Sequence, residues 1–317
     1  MGSGALKIRP FQEGDEATIL RILKEESGLG CSLDEWAWLF PPEEDGRAIV
    51  VGERDDEVVA VCAGTPVDVV VDGRGVPAVE LRKLAARDRD DMRRIVEHFG
   101  EVLSSSGRFA LMTASFAREG EAPPGFEEAP HAGLVELVRT KPVSGTLRRI
   151  VYRAEPGRDW EPRLDALWDR VQPAYAVSVV RNAKYALRRF AGHPSMRHHR
   201  FLVFPRHSRY AVASAVFVDD GSACCWLDLL WDHDHPGALE LLAHISGRLV
   251  NQWGRDGEQI WLTGDDAAKT LLMNRGFRPQ ESSPRGVAIR SLASKLDARD
   301  LVIRAYLTAA DTGGLSS

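Results

Sequence analysis

The chain has 317 residues, 44% of them hydrophobic and 27% charged, which excludes a disordered or fibrous protein and gives enough apolar residues for two ordinary cores. A formal net charge of -5 and a pI near 6.0 leave no overall basic field to hold a polyanion. No apolar run approaches the roughly 18 residues that span a bilayer, and MGSGALKIRPF lacks the apolar centre of a secretion signal, so a cytoplasmic protein is expected.

In chain order, ALKIRPF alternates like a strand, and EGDEATILRILKEESG places Ile19, Ile22 and Leu23 at helical spacing. Ser32 and Glu35 have the spacing of a capping box ahead of EWAWLF, which predicts a second short helix. RAIVVGER, EVVAVCAGTPVDVVV and VPAVELRKLAA are rich in β-branched residues and are separated by Asp55-Asp56 and by the run from Asp72 to Gly75. They read as an antiparallel meander. DMRRIVEHFGEVLSSSG then puts Met92, Ile95, Val96, Phe99, Val102 and Leu103 on one helical face, and RFALMTASF resumes as a strand. A loop rich in Pro, Glu and Gly leads to the strand-like LVELVRTKPV.

The remainder repeats this scheme. HRFLVFPR, RYAVASAVFVDD and SACCWLDLLW read as strands, PGALELLAHISGRLVNQWG as a helix, EQIWLTG as a strand and DAAKTLLMNRGF as a helix. The shared order predicts a duplicated α/β fold with two domains, residues 1–150 and 151–317. The four cysteines Cys31, Cys62, Cys224 and Cys225 show no CxxC spacing, and an adjacent pair is poorly placed for a mutual disulfide, so all four are expected to be reduced packing residues.

This order, together with the closing passage DDAAKTLLMNRGF, resembles the GNAT superfamily of N-acetyltransferases. EWAWLF, VDGRGVPAVEL, LDALWDRV with VVRNAKYALRRF, and LTAADTG are similar to stretches of bacterial tandem-GNAT proteins. The resemblance implies two mostly antiparallel twisted sheets flanked by helices, and transfer of an acyl group, acetyl above all, from acyl-CoA to an amine acceptor. It also implies a phosphate-binding loop of spaced glycines between the fourth strand and the next helix, where backbone amides meet the pyrophosphate.

The sequence departs from that loop twice, with AARDRDDMRR in the first half and WDHDHPGAL in the second. Asp90 or Asp91 is expected to cap the first of these helices and Asp234 the second, where Pro236 also removes an N–H donor. From Arg82 to Arg94 six bases face three acids. If the first half works, the Leu84, Ala85 and Ala86 backbone would line the pantetheine, and Arg87, Arg89, Arg93 and Arg94 the phosphates of acetyl-CoA.

Amine acyl transfer needs a base for the ammonium proton, an acid for the thiolate and a donor for the oxyanion. Glu80 opens the presumed fourth strand and is the candidate base of the first half. An exposed strand-end acid is the competing reading. No tyrosine precedes Tyr152, which leaves Thr113, Ser115 and His131 as possible donors there. In the second half Asp228 is the candidate, because a carboxylate inside the apolar strand SACCWLDLLW is costly unless paired or functional. Strict alternation would put it on one face with Trp226 and Leu230.

His233 and His235 with Asp232 and Asp234 lack a downstream ligand at a set spacing, so no metal is expected. Arg188, Arg189, Arg197 and Arg200 could meet an anionic group, including the acceptor arm of a tRNA. This keeps open an aminoacyl-tRNA or carrier-protein donor, beside a third possibility in which the duplicated fold is a binding module that has lost its cofactor.

Overall fold

The computed structural model describes residues 5–27, 30–42, 48–116, 122–128, 135–140, 147–280 and 286–312. The N-terminal half runs β1 (Lys7–Pro10), α1 (Glu16–Ser27), α2 (Leu33–Leu39), β2 (Ala48–Arg54), β3 (Glu57–Val71), β4 (Arg74–Ala86), α3 (Arg89–Ser106), β5 (Leu111–Phe116), β6 (Glu127–Glu128) and β7 (Val135–Arg139). After α4 (Arg148–Val151), the chain continues through β8 (Tyr152–Pro156), α5 (Arg163–Val171), β9 (Val177–Val179), α6 (Ala183–Phe190), β10 (His199–Pro205), β11 (Ala213–Asp219) and β12 (Ala223–Trp231). It closes with α7 (Pro236–Trp253), β13 (Gly257–Thr263), α8 (Asp266–Met273), β14 (Arg278–Gln280), β15 (Gly286–Ser291), α9 (Ala298–Arg304), β16 (Ala305–Thr308) and a 3-10 turn, Ala309–Thr312.

Local chemistry accounts for these boundaries. The Ser32 hydroxyl accepts from the Glu35 amide at 3.1 Å and starts α2, but the Glu35 carboxylate turns to Lys83 instead of back to its own cap. The two meander hairpins turn at Asp55-Asp56 and Asp72-Gly73, all four with positive φ, the backbone that tight antiparallel hairpins demand. Ile19, Ile22 and Leu23 pack α1 with Trp36 and Phe40 on one face of the first sheet, while Ile95, Val96, Phe99 and Leu103 pack α3 on the other.

The first sheet runs β1-β2-β3-β4-β5-β15-β6 and the second β8-β10-β11-β12-β13-β7-β14. The orders match position by position, with β4 and β5, like β12 and β13, parallel. In the sixth position the halves trade strands: β7 lies beside β13 and β15 lies beside β5. Each traded strand carries an arginine into the other half. Arg139 of β7 donates to Ala243 O of α7 at 2.6 Å and to the buried Glu258 at 2.8 Å. Arg290 of β15 donates to Val96 O of α3 at 3.4 Å. The two acceptors sit equivalently, seven residues beyond the first residue of each helix (Arg89 to Val96, Pro236 to Ala243). Gly100 lies beneath Arg290, where a Cβ would stand 2.9 Å from the guanidinium and the arginine would have to shift.

A second junction joins the sheets along their length. β9 pairs with β3 and with β16, and β16 with β13, so one hydrogen-bonded ladder crosses both halves. One buried apolar cluster accordingly contains Val69, Val70, Val71, Leu111 and Ile289 together with Trp168, Tyr175, Leu227 and Tyr306.

Candidate functional site

Both fourth strands carry a bulge at the same place. In β4, Leu81 faces Gly64 and Lys83 faces Ala63, so Arg82 is the extra residue; in β12, Trp226 faces Phe217 and Asp228 faces Val216, so Leu227 is extra. The parallel pairing with the next strand stops at the same point, at Leu81 with Ala114 and at Trp226 with Ile260. Beyond it, the paired strands part. The bulge also corrects the alternation expected for β12: Leu227 and Leu230 enter one core and Trp226 and Leu229 the other, so Trp226 and Leu230 do not share a face.

In the C-terminal half the gap is filled by the chain itself. β16 pairs along β13 at Leu262 with Thr308 and Thr263 with Leu307. Arg181, with 1% of its side chain exposed, enters between β12 and this insert. Its Nε donates to Asp228 Oδ1 at 2.9 Å, and Nη2 is paired with Asp311. Thr308 donates its hydroxyl to the same Asp228 oxygen at 2.9 Å and its backbone N–H to Asp311 at 2.7 Å. Burial pushes the Asp311 carboxyl up, opposed by the Arg181 charge. Asp228 is thus a paired interior carboxylate.

The mouth of that gap is acidic. Pro236 opens α7, preceded by His235, which makes no side-chain cap, so the cap expected from Asp234 is not formed. Asp232 accepts from Arg170 at 2.8 Å. The buried Asp265 caps α8 through the Ala268 amide at 2.8 Å and takes the Trp231 indole N–H at 2.7 Å. Carboxylates therefore stand where a diphosphate would need donors. Among the described residues no group of three or more His, Cys, Asp or Glu is placed to hold a metal.

In the N-terminal half, no strand among the described residues occupies the corresponding gap beside β4. Leu84 is half-buried, and Ala85 and Ala86 are buried. The helix that follows is capped by Asp88, which accepts from the Asp91 amide at 2.8 Å, rather than by Asp90 or Asp91. The chain enters the helix two residues before a cap at Asp90 would allow and three before one at Asp91, and Asp91 turns inward to Arg54 at 2.7 Å. Arg87, Arg89, Arg93 and Arg94 are all exposed around this mouth. Arg87 is held by a bidentate pair to Glu57, and Arg93 lies 3.4 Å from Asp90.

On the opposite side of β4 lies a cleft of about 760 Å³ between the halves. Trp38 and Leu39 of α2 form one wall, Val67 of β3 and Val180 a second, and α6 a third. Trp38 ties the walls together by donating to Ala191 O at 2.9 Å. Glu80 and Arg82 lie in its floor with Arg189 of α6. Glu80 Oε1 accepts from Arg82 Nη1 at 2.8 Å and from Arg189 Nη1 at 3.1 Å, and Oε2 accepts from Arg189 at 2.8 Å. Burial, and then the neighbouring Arg189 charge, lower Arg82 to about 10. Asp311 helps raise Arg189, so charges alternate across the interface from Arg82 through Glu80, Arg189, Asp311 and Arg181 to Asp228.

The structure thus places Glu80 and the Arg87–Arg94 group on one strand and the helix after it, and Asp228 at the other end of a shared ionic array. Thr113 lines a void of about 30 Å³ with Glu80 and Asp311, and His131 lies outside the described residues. Of the arginines from 188 to 200, Arg189 is buried on Glu80 and Arg200 is paired with Asp159. Sequence reasoning missed Arg181, Thr308 and Asp311. The available signal was a lone charge in each of the otherwise apolar or small-residue runs VVRNA and LTAADT.

No protein-family model matches the sequence, and no curated protein matches it. Solved structures do. A GCN5-related N-acetyltransferase from Anabaena variabilis aligns at 14% identity and a TM-score of 0.68, over 91% of this chain and 73% of that one. Saccharomyces cerevisiae N-myristoyltransferase, solved with bound myristoyl-CoA and inhibitors, aligns at 12% identity and 0.63, over 92% and 80%. A tandem GNAT protein from the clavulanic acid biosynthesis pathway aligns at 14% identity and 0.59, over 91% and 99%. The chain has the fold of the GNAT N-acetyltransferases in its tandem form, as its element order and closing motif imply.

Proposed function

We propose that this protein is an acyl-CoA-dependent N-acyltransferase that moves an acetyl group to an amine, with its reacting centre at the β4 bulge of the N-terminal half. The observation that carries this reading is an asymmetry. Both halves keep the bulged, parted strand pair, but among the described residues only the C-terminal gap is filled by its own chain, around Arg181, Asp228 and Asp311. The 760 Å³ cleft reaches the N-terminal bulge from the other face, so donor and acceptor would approach Glu80 from opposite sides.

The donor's pantetheine would run along the unpaired edge of Leu84, Ala85 and Ala86. Side chains of Arg87, Arg89, Arg93 and Arg94 would take the phosphates in place of helix amides, since Asp88 occupies one of those, the Asp91 N–H. A carboxylate offers about four acceptor positions, and the two guanidiniums use three at Glu80. The fourth can hold the acceptor's ammonium and take its proton. The amine nitrogen then attacks the thioester carbonyl, a C–N bond forms, the C–S bond breaks and the thiolate leaves with a proton. The C-terminal half acts as a wall and support, not as a second donor site.

Calorimetric titration with acetyl-CoA tests this directly. Saturable binding is expected, weakened in Arg87→Ala and Arg93→Ala and unchanged in Asp234→Lys at the exposed mouth of α7. A folded wild type that shows no binding at millimolar acetyl-CoA would sink the reading.

A further inference from the structure

The floor of the cleft holds more positive charge than the protein itself matches. Arg82 and Arg189 have only 8% and 9% of their side chains exposed, and one carboxylate, Glu80, serves both. Arg82 Nε and Arg189 Nη2 are buried donors without an acceptor, and the Tyr185 hydroxyl beside them has no partner either. Buried polar groups in folded proteins are nearly always satisfied, so three orphans lining one cleft need an explanation. Asp311 does not supply it, because its carboxylate is taken by Arg181 and by the Thr308 backbone. At the rim, Lys184 and Asp68 stand 3.9 Å apart and offset each other. Arg82 and Arg189 then remain against Glu80, a surplus of one positive charge in the floor of the cleft.

We propose that the ligand of this cleft is a small amine that also carries an anionic group, a carboxylate or a phosphate monoester, bound by Arg82 and Arg189. The identification of that ligand as the acyl acceptor rests on the function proposed above. Guanidinium forks suit both anions, since they present parallel N–H donors to paired oxygens. A ligand oxygen entering between the two side chains supplies the acceptor that Nε and Nη2 lack, while Glu80 on the same floor meets the ammonium. Trp38, Leu39, Val67 and Leu187 line the cleft above and take an apolar body. The interior array thus sorts the two ends of a doubly charged ligand by sign.

Binding measured by calorimetry without any acyl-CoA tests this with two matched pairs, L-leucine against L-leucinamide and O-phosphoethanolamine against ethanolamine. At least tenfold tighter binding of the anionic member is expected in one pair, and which pair shows it separates carboxylate from phosphate. The preference is expected to vanish in the double variant Glu80→Gln/Arg189→Gln, which removes one charge of each sign and keeps the net charge of the floor, and to weaken in Arg189→Lys, which keeps charge but loses the fork. Equal binding within both pairs, no binding of any probe at 10 mM by the folded protein, or a preference that survives in a folded double variant would each overturn the inference. Preference for the anion in a protein that ignores acetyl-CoA would retain the site and remove only its assignment to an acyl acceptor.

Discussion

Arg181→Met isolates what the interior array is for. The substitution keeps the aliphatic stem but removes the one cation between Asp228 and Asp311, whose side chains are 9% and 5% exposed. Taking one partner from a buried pair costs about 3–5 kcal/mol, and two stranded carboxylates place this case at the upper end. At about 2 °C per kcal/mol for a chain of this size, thermal unfolding at pH 7.5 should fall by roughly 6–10 °C. The pH dependence has a defined sign. Burial already raises Asp311, and without Arg181 its carboxyl should rise further and hold a proton that the unfolded chain, with Asp near 3.9, has released. The deficit should therefore be largest at pH 8 and shrink as pH falls toward 4. Asp228→Asn, which keeps an acceptor for Arg181, should change the rate of acyl transfer by less than about twofold per folded molecule, as expected of a group away from the reacting atoms. A loss below about 2 °C in Arg181→Met, or a hundredfold rate loss in a fully stable Asp228→Asn, would refute the reasoning.

The hydrogen bonds from Arg87 and then Arg21 hold the Glu57 carboxyl at about 2. Its contribution to stability is present above the unfolded value and lost as pH falls through about 2, so an NMR titration with a midpoint above 4 would contradict the pairing. Glu57→Gln should release Arg87 and tighten acetyl-CoA binding by up to about fivefold, the worth of a surface pair. Burial lowers His198 to about 4, against the pull of its hydrogen bond to Phe190 O. Its neutral ring stabilises the fold above about pH 6.5, and that contribution is lost as pH falls toward 4, at most roughly 3 kcal/mol. His198→Gln should flatten the acid limb of a melting-temperature curve, and an unchanged limb would count against burial of the ring. Residues 1–150 expressed alone lack β15 and should show no cooperative unfolding transition, whereas a sharp melt would mean that β5 and β6 do not depend on it.

Much of the fold was legible because it is written locally. Alternation in RAIVVGER and the spacing of Ile95, Val96, Phe99 and Leu103 depend on the residues themselves, and the structure places strand and helix there. The partner of a strand is not local. LVELVR reads as a strand, but nothing within six residues says that it belongs in the other half's sheet, beside β13. The β12 bulge hid for a related reason: a single extra residue reverses the faces of everything after it, so strict alternation fails at Asp228. The cap of α3 was misplaced because RDRDD offers three equivalent acids, and only the inward turn of Asp91 to Arg54 selects Asp88. Glu80 was found as a candidate, but its two partners were not, since Arg82 reaches it through the bulge and Arg189 from more than a hundred residues away.

The traded strands also set an order of events during synthesis. Arg139 emerges long before Glu258, the residue it faces, with 119 positions between them. β7 therefore waits, edges unpaired, while most of the second half is translated, and β5 waits longer still for β15. Neither sheet can be completed domain by domain as the nascent chain lengthens, and the last pairings close the longest loops. A half-made molecule presents two open strand edges of the kind that chaperones cover and that otherwise seed aggregation. A gene fusion or truncation that looks harmless at the level of one domain would leave both halves unfinished.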